Sequence, residues 1–350
     1  MERSGFVTGG TWCVDYNMTL PDWPREESAT RILSSSRQGG GSGCNFAVDM
    51  RRLAPEIPVA TIALCGADSD GELLRAIALE NGIDAHFHVD PGIRTHRTMA
   101  FTALDDGRRT HLFEAESSDH LTPDHFDFTG STAFMLHLGL PGTHAVMDAP
   151  WQGDANGWVA VLRKARAAGL RTNLEVMTID QQALRELVLP CLPHLDYLVV
   201  NDYEIGALTR TETLRDGTTS VPDVINAARQ ALDQGAMALI VVHFPMGAVA
   251  VLRDGSVHHR ASVDVPRSTV AGTNGAGDAF AAGFFCGLHR DRDIDECLAF
   301  AHAAAAASLR SVDTYGAMES IEACMALANS QGWRAPLDFP TLRTGARGRG

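Results

Sequence analysis

Apolar runs of strand length alternate with stretches of helical periodicity along most of this chain, and no other feature narrows its fold so far. Val59 to Leu64, Ala133 to Leu138, Tyr197 to Val200 and Ala238 to Val242 read as strands. Asn45 to Leu53, Gly71 to Glu80, Trp158 to Ala168 and Val221 to Gln234 read as helices, several of them closed by a glycine, as at Gly82, Gly169 and Gly235. Such an alternation predicts a mostly parallel sheet covered by helices on both faces. A chain of 350 residues that is 45% hydrophobic suits one large α/β domain or two smaller ones. A single domain over 1–335 is the organisation expected here, with its second half one long βα series.

Two segments break the alternation. Residues 12–38 and 94–117 read as hairpin material, the latter as Arg97 to Leu104 and Arg109 to Glu114 about an Asp105-Asp106-Gly107-Arg108 turn. A small antiparallel flap inserted into the larger domain accounts for both, and such a flap can exclude water from a site beneath it. The Gly/Arg-rich end of the chain, from about 336 to 350, is expected to be a disordered tail.

The formal charge of −14 offers no broad basic field to replace phosphate counterions, which argues against nucleic acid as a partner. Seven scattered cysteines without a Cys-x-x-Cys pair suggest neither a disulfide framework nor a zinc site. No third ligand accompanies His86 and His88, or His258 and His259, at metal spacing. Met135, Met147 and Met177 are expected to fill core gaps. The first residues lack the apolar core of a secretory signal, and no apolar run is long enough for a bilayer, so a cytoplasmic location with no membrane partner is expected.

Chemistry concentrates in two glycine-rich segments. In Thr273-Asn274-Gly275-Ala276-Gly277-Asp278-Ala279-Phe280, followed by a small-residue helical run, the glycines let backbone N–H groups approach an anion at the positive end of a helix. Asp278 in the first turn is placed to accept the proton of an attacking hydroxyl, while the amides of Gly275, Ala276 and Gly277 stabilise a phosphoryl group in transfer. Taken alone, the same four residues Gly-Ala-Gly-Asp also read as an ordinary turn with an Asp cap. In Gln38-Gly39-Gly40-Gly41-Ser42-Gly43-Cys44-Asn45, a flexible run opens into a helix, and the amide of Asn45 can both donate to and accept from a vicinal diol, or simply cap that helix. Neither segment has the G-x-G-x-x-G order of a dinucleotide site, and the chain has no G-x-x-x-x-G-K-[ST] loop.

Together and in this order, the two segments resemble the N-terminal and C-terminal signatures of the ribokinase (PfkB) family of carbohydrate kinases, over roughly Val7 to Ala317. The resemblance implies a ribokinase-like three-layer αβα sandwich with a mostly parallel central sheet and a small β lid. It also implies ATP and Mg2+ as cofactors, a small sugar as substrate, and a homodimer formed through the lid. Asp15, Gly40, Gly41 and Asn45 would hold the sugar, with Asp278 as general base. Asn201-Asp202-Tyr203-Glu204 is similar to the family's Asn-x-x-Glu motif, so Asn201 and Glu204 would position magnesium through water. From the residues alone, that segment equally reads as a helix start with Asn201 as cap and Glu204 three residues on. Thr273, Gly275, Gly277, Gly247 and His302 would border the nucleotide.

Departures from the family pattern are also present. Gly272 stands before Thr273 where the family commonly has an aspartate linked to a monovalent cation, which speaks against potassium activation. Phe244 occupies a position where a glycine is expected in the nucleotide turn, and Arg171-Thr172-Asn173-Leu174-Glu175 lacks the arginine of an Asp-x-Asn-x-Arg pattern. The expected activity is ATP-dependent phosphorylation of a hydroxyl on a small sugar or sugar derivative. Alternatives are a nucleoside kinase of the same fold, with Trp12, Phe46 or Phe113 as a platform for the base, and a sugar-sensing protein with little transfer. The altered nucleotide turn keeps the sensor open, and the sequence leaves the acceptor and the phosphoryl donor unspecified.

Overall fold

The strand-like runs are apolar at successive positions because their alternate side chains enter two different cores. In Leu239–Phe244, Leu239 and Val241 belong to one apolar cluster, and Ile240, Val242 and Phe244 to another on the opposite face. Helices Ser42–Leu53, Ala276–His289 and Ile294–Ser308 cover the first face; Gly157–Ala167, Gln181–Val188 and Val221–Gln234 cover the second. The result is a three-layer sandwich. The computed structural model describes residues 3–105 and 109–338. Asp106, Gly107 and Arg108 of the expected turn, and the tail from 339, lie outside the described residues.

In chain order the strands are β1 (Phe6–Gly10), β2 (Cys13–Leu20), β3 (Ser34–Gly40), β4 (Val59–Gly66), β5 (Asp84–Asp90), β6 (Arg97–Ala103), β7 (Arg109–Glu114), β8 (Met135–Gly139), β9 (Arg171–Leu174), β10 (Tyr197–Asn201), β11 (Leu214–Arg215), β12 (Thr218–Thr219), β13 (Leu239–Phe244), β14 (Gly247–Leu252) and β15 (Val257–Ala261). Nine of them form the central sheet in the order β15-β14-β13-β10-β9-β8-β1-β4-β5. It is parallel from β13 to β5 and antiparallel only at the β13-β14-β15 edge. From β1 the order runs toward β4 and β5 on one side and β8, β9 and β10 on the other, which opens a crevice at the carboxyl ends of these strands.

Four strands form a second sheet, β3-β2-β6-β7, over that crevice. The expected flap is therefore present, but not purely antiparallel, because β2 and β6 pair in parallel. Each follows a parallel strand of the main sheet, β1 or β5, so both enter the lid in the same direction. The lid is tied down at Asp70, which is buried and accepts from the Tyr16 hydroxyl at 2.8 Å and from Arg37 at 3.1 Å.

The helix expected from Asn45 begins instead at Ser42, since Gly41, at φ 86°, is its cap. Gly82 and Gly169 take the left-handed conformation expected after a helix, whereas Gly235, at φ −131°, ends its helix in extended backbone. All seven cysteines are buried and free, and Met135 and Met147 are buried in the two cores. Among the described residues no helix is long and apolar enough to cross a membrane.

Candidate active site

Two helices open at the crevice without a side-chain cap, and both openings depend on a glycine. Gly41 precedes Ser42–Leu53, and a Cβ there would lie 2.6 Å from the Thr11 carbonyl oxygen. Gly275, at φ 76°, precedes Ala276–His289, and a Cβ on it would lie 2.6 Å from the Thr314 carbonyl oxygen. Only glycine fits the backbone at either place. The Gly43 N–H donates to the Thr11 carbonyl oxygen at 3.1 Å and the Ala276 N–H to that of Thr273 at 3.5 Å, and no side chain caps either opening, so each keeps its positive dipole end toward the crevice.

A direct hydrogen bond joins the two helices. Asn45 Nδ2 donates to Asp278 Oδ2 at 2.9 Å, and Asn45 Oδ1 accepts from the Thr314 hydroxyl at 2.9 Å. With both amide atoms engaged and only 4% of its surface exposed, Asn45 orients Asp278 rather than capping its own helix. Asp15 sits on the lid side, 7% exposed, its carboxylate so close to Gly40 that a Cβ there would lie 2.3 Å from Oδ2. Burial pushes the Asp15 carboxyl up to about 6, with the Arg109 charge opposing.

Glu175, just past β9, stands close enough to Asp278 for its charge to raise that carboxyl. Behind Glu175, His137 Nε2 lies 2.5 Å from Oε2, and among the described residues neither buried atom has a hydrogen-bond partner. Asn173 Nδ2 lies 3.1 Å from His137 Nδ1; with the amide in this orientation Nδ1 accepts, which puts the imidazole proton on Nε2, facing Glu175. Phe46 stacks on the same ring at a centroid distance of 3.9 Å. Burial pushes the Glu175 carboxyl up to about 7. Burial, then the Glu175 charge, raises Asp278 well above the usual carboxylate range, although Asp278 keeps part of its surface open. Burial and mutual repulsion of the two carboxyl groups thus both favour a proton held by the pair.

On the far side of the Ala276–His289 opening lies a cavity of about 560 Å3. Thr273, Ala276 and Gly277 form its polar end, beside Asn201 and Asp202, and Phe244, Val263, Val265, Ala305 and Leu309 its apolar walls. His302 Nε2 faces it buried and without a partner among the described residues. Phe244 is a wall rather than an obstruction, 6% exposed at the end of β13. Gly247 does not line this cavity: it pairs with Phe244 at the start of β14, and a Cβ on it would meet the Arg260 carbonyl oxygen at 2.4 Å. A Cβ at Gly272 would lie 2.9 Å from the Ser311 carbonyl oxygen, so an aspartate there would displace that loop.

Asn201 and Glu204 form a reciprocal capping box: Glu204 N donates to Asn201 Oδ1 at 2.8 Å, and Asn201 N to Glu204 Oε2 at 2.9 Å. The Thr178 hydroxyl donates to Glu204 Oε1 at 3.3 Å. Both carboxylate oxygens are thus engaged, and the residue is 5% exposed. This donor set fits a hard cation held through an intervening water better than one bound directly.

The structure brings Asp15, Gly40, Gly41, Asn45 and Asp278 to one place, and Asn201, Thr273, Gly277 and His302 to the neighbouring cavity. Sequence reasoning missed Glu175 as a neighbour of Asp278, and His137, Thr314 and Arg109 altogether. For Glu175 there was a signal, a carboxylate immediately after a parallel strand; for Thr314 no local pattern existed.

The sequence profile of the pfkB family of carbohydrate kinases matches residues 9–321. Over 329 residues the chain is 24% identical to a 5-dehydro-2-deoxygluconokinase of Shouchella clausii, covering 92% of this chain and 94% of that one. It is 30% identical over 259 residues to adenosine kinase 1 of Arabidopsis thaliana, covering 69% and 70%. In fold it is similar to Arabidopsis thaliana ribokinase complexed with ribose and ATP, with a TM-score of 0.74 at 19% identity over 93% of this chain and 99% of that one. The chain belongs to the pfkB family of carbohydrate kinases, phosphotransferases with an alcohol group as acceptor.

Proposed function

We propose that the protein transfers the γ-phosphoryl group of ATP to a hydroxyl of a small sugar or sugar derivative, with Asp278 as general base. The observation that carries this reading is the Asn45 to Asp278 bond across two uncapped helix openings, beside a cavity lined by Ala276 and Gly277. The acceptor would lie between Asp15, Gly40, Gly41 and Asn45, under the lid. Its hydroxyl gives a proton to Asp278 as its oxygen attacks phosphorus in line, while the amides of Gly275, Ala276 and Gly277 offset charge on the equatorial oxygens. The nucleotide would occupy the cavity, its base toward His302 and the apolar walls. Magnesium, held through water near Asn201 and Glu204, would neutralise phosphate charge. The lid excludes water, which limits ATP hydrolysis and strengthens the electrostatic contacts beneath it.

A nucleoside acceptor has less support from the aromatic residues. Trp12 and Phe46 are 1% and 0% exposed and committed to Phe87 and His137, which leaves only Phe113, 48% exposed beside His96 and on the Asp15 side of the lid, as a platform for a base. Exposed Trp23, Leu104 and Leu112 on and beside the lid support its pairing with a second copy. ADP release from ATP, measured against ketoses, aldoses, sugar acids and nucleosides, tests the reading. Turnover with a sugar acceptor is expected; turnover with nucleosides alone would move the assignment, and none with any acceptor, together with sugar-induced thermal stabilisation, would make the protein a sensor.

A further inference from the structure

The strand register places Asp15 beside Gln38 and Thr98, and Arg109 beside Thr102. Side chains alternate along a strand, so Asp15, Asn17, Gln38, Thr98 and Arg109 all lie on one side of the lid sheet. On that side Asn17 Nδ2 and Oδ1, Gln38 Nε2 and Arg109 Nη1 are buried without hydrogen-bond partners among the described residues. Buried polar atoms are almost always paired, and several orphans on one side of one small sheet mark a polar ligand's seat.

Arg109 supplies the character of that ligand. Its Nε donates to the Thr102 hydroxyl at 3.1 Å and its Nη2 to the Val312 carbonyl oxygen at 3.1 Å. Both partners are neutral, so among the described residues the guanidinium charge is not spent in an ion pair. Val312 stands two residues before Thr314, which holds Asn45 and through it Asp278. The guanidinium also feels the Asp15 carboxylate. It therefore links the lid to the loop that carries Thr314, on the Asp15 side of the lid sheet, with Nη1 directed at no acceptor among the described residues.

We propose that the acceptor is an anionic sugar, a sugar acid or a sugar phosphate, whose charged oxygens take the Nη1 protons of Arg109 and the amide protons of Asn17 and Gln38 while its hydroxyls reach Asp15 and Asp278. The proposal rests on the kinase reading above. A guanidinium matches a carboxylate or a phosphate equally, and the other carboxylates fix the orientation, since they repel the anionic end from the transfer site.

The test uses the full-length protein and compares kcat/KM for D-fructose and D-ribose, for their monophosphates, and for six-carbon sugar acids. An anionic acceptor is expected to exceed its neutral counterpart by tenfold or more, and whether phosphates or acids lead identifies the source of the charge. The preference should collapse at least tenfold in Arg109→Gln and recover in part in Arg109→Lys. In the wild type, KM for the anionic acceptor should rise with ionic strength, a readout that needs no variant. Equal or better turnover of neutral sugars, insensitive to salt, overturns this proposal and leaves the kinase reading standing. No turnover with any acceptor overturns both.

Discussion

The helix openings at Gly41 and Gly275 share one local design and differ in what surrounds them. Each begins on a glycine with positive φ, neither has a side-chain cap, and a carbonyl oxygen 2.6 Å from the missing Cβ excludes other residues. The first lies under the lid and contributes side-chain chemistry, through Asn45 and the adjacent Asp15. The second opens onto the 560 Å3 cavity and contributes backbone amides, with Asp278 turned back toward the first. On the proposed reading, the same backbone device would serve an acceptor with hydroxyls on one side and an anionic donor on the other. What separates the two uses is tertiary, a lid sheet in one case and an apolar cleft in the other.

The largest expected effect falls on the group that the two openings share. Asp278→Asn keeps size and shape but cannot take a proton, so kcat should fall by about 10^3-fold with little change in acceptor binding. Steady-state ADP release with thermal-shift titration of both ligands checks this, and near-normal turnover would remove Asp278 as the base. Gly277→Val confines its effect to the second opening. A Cβ at 277 comes no closer than 3.7 Å to the His243 ring, so the fold accommodates it, while the branched side chain fills the phosphate seat. KM for ATP should rise by about tenfold or more, roughly 1.4 kcal/mol, and the acceptor's dissociation constant should hold. An unchanged KM for ATP would place the phosphates elsewhere.

A smaller effect, in pH dependence, is expected from Glu175. Its carboxyl is pushed up to about 7 by burial, and its charge raises Asp278. The pair holds a proton below neutrality and loses it as pH rises, so kcat/KM should climb through an acid limb near neutral pH. Glu175→Gln removes the neighbouring negative charge, lowers the Asp278 pKa, and should move that limb toward acid by about one unit. Asp15 on the lid side, Asp49 on the Ser42–Leu53 helix and the neutral His137 also face the pair and are unaltered by the substitution. A limb that stays in place would mean that Glu175 does not set the basicity of Asp278.

Much of the architecture was legible because buried parallel strands and amphipathic helices leave different periodicities. Val221–Gln234 matches its sequence bounds, and the other expected helices begin within three residues of them. The helix begins at Ser42, three residues before the expected start, because a glycine run favours loop by composition, whereas here Gly41 is the cap and Gly43 lies inside the first turn. In the lid, hairpin signals gave the strands but not the parallel β2 to β6 pairing, which depends on the directions inherited from β1 and β5. Asp278 and Asn45 could be found from their glycine contexts, whereas their direct bond spans 233 residues of sequence and has no local signature. In sequence Glu175 stands where the family pattern has an arginine, and as a carboxylate at the end of a strand, neither of which points to Asp278. Its place against Asp278 comes from the carboxyl end of β9 facing the Ala276–His289 opening.

A double-mutant cycle in kcat between Asn45 and Asp278 tests most directly whether the two openings act through one bond. If Asn45 works by orienting the base, Asn45→Ala alone should slow turnover, and in the Asp278→Asn background the same change should cost little more, giving a clear coupling energy. Losses that simply add, with no coupling, would contradict the account.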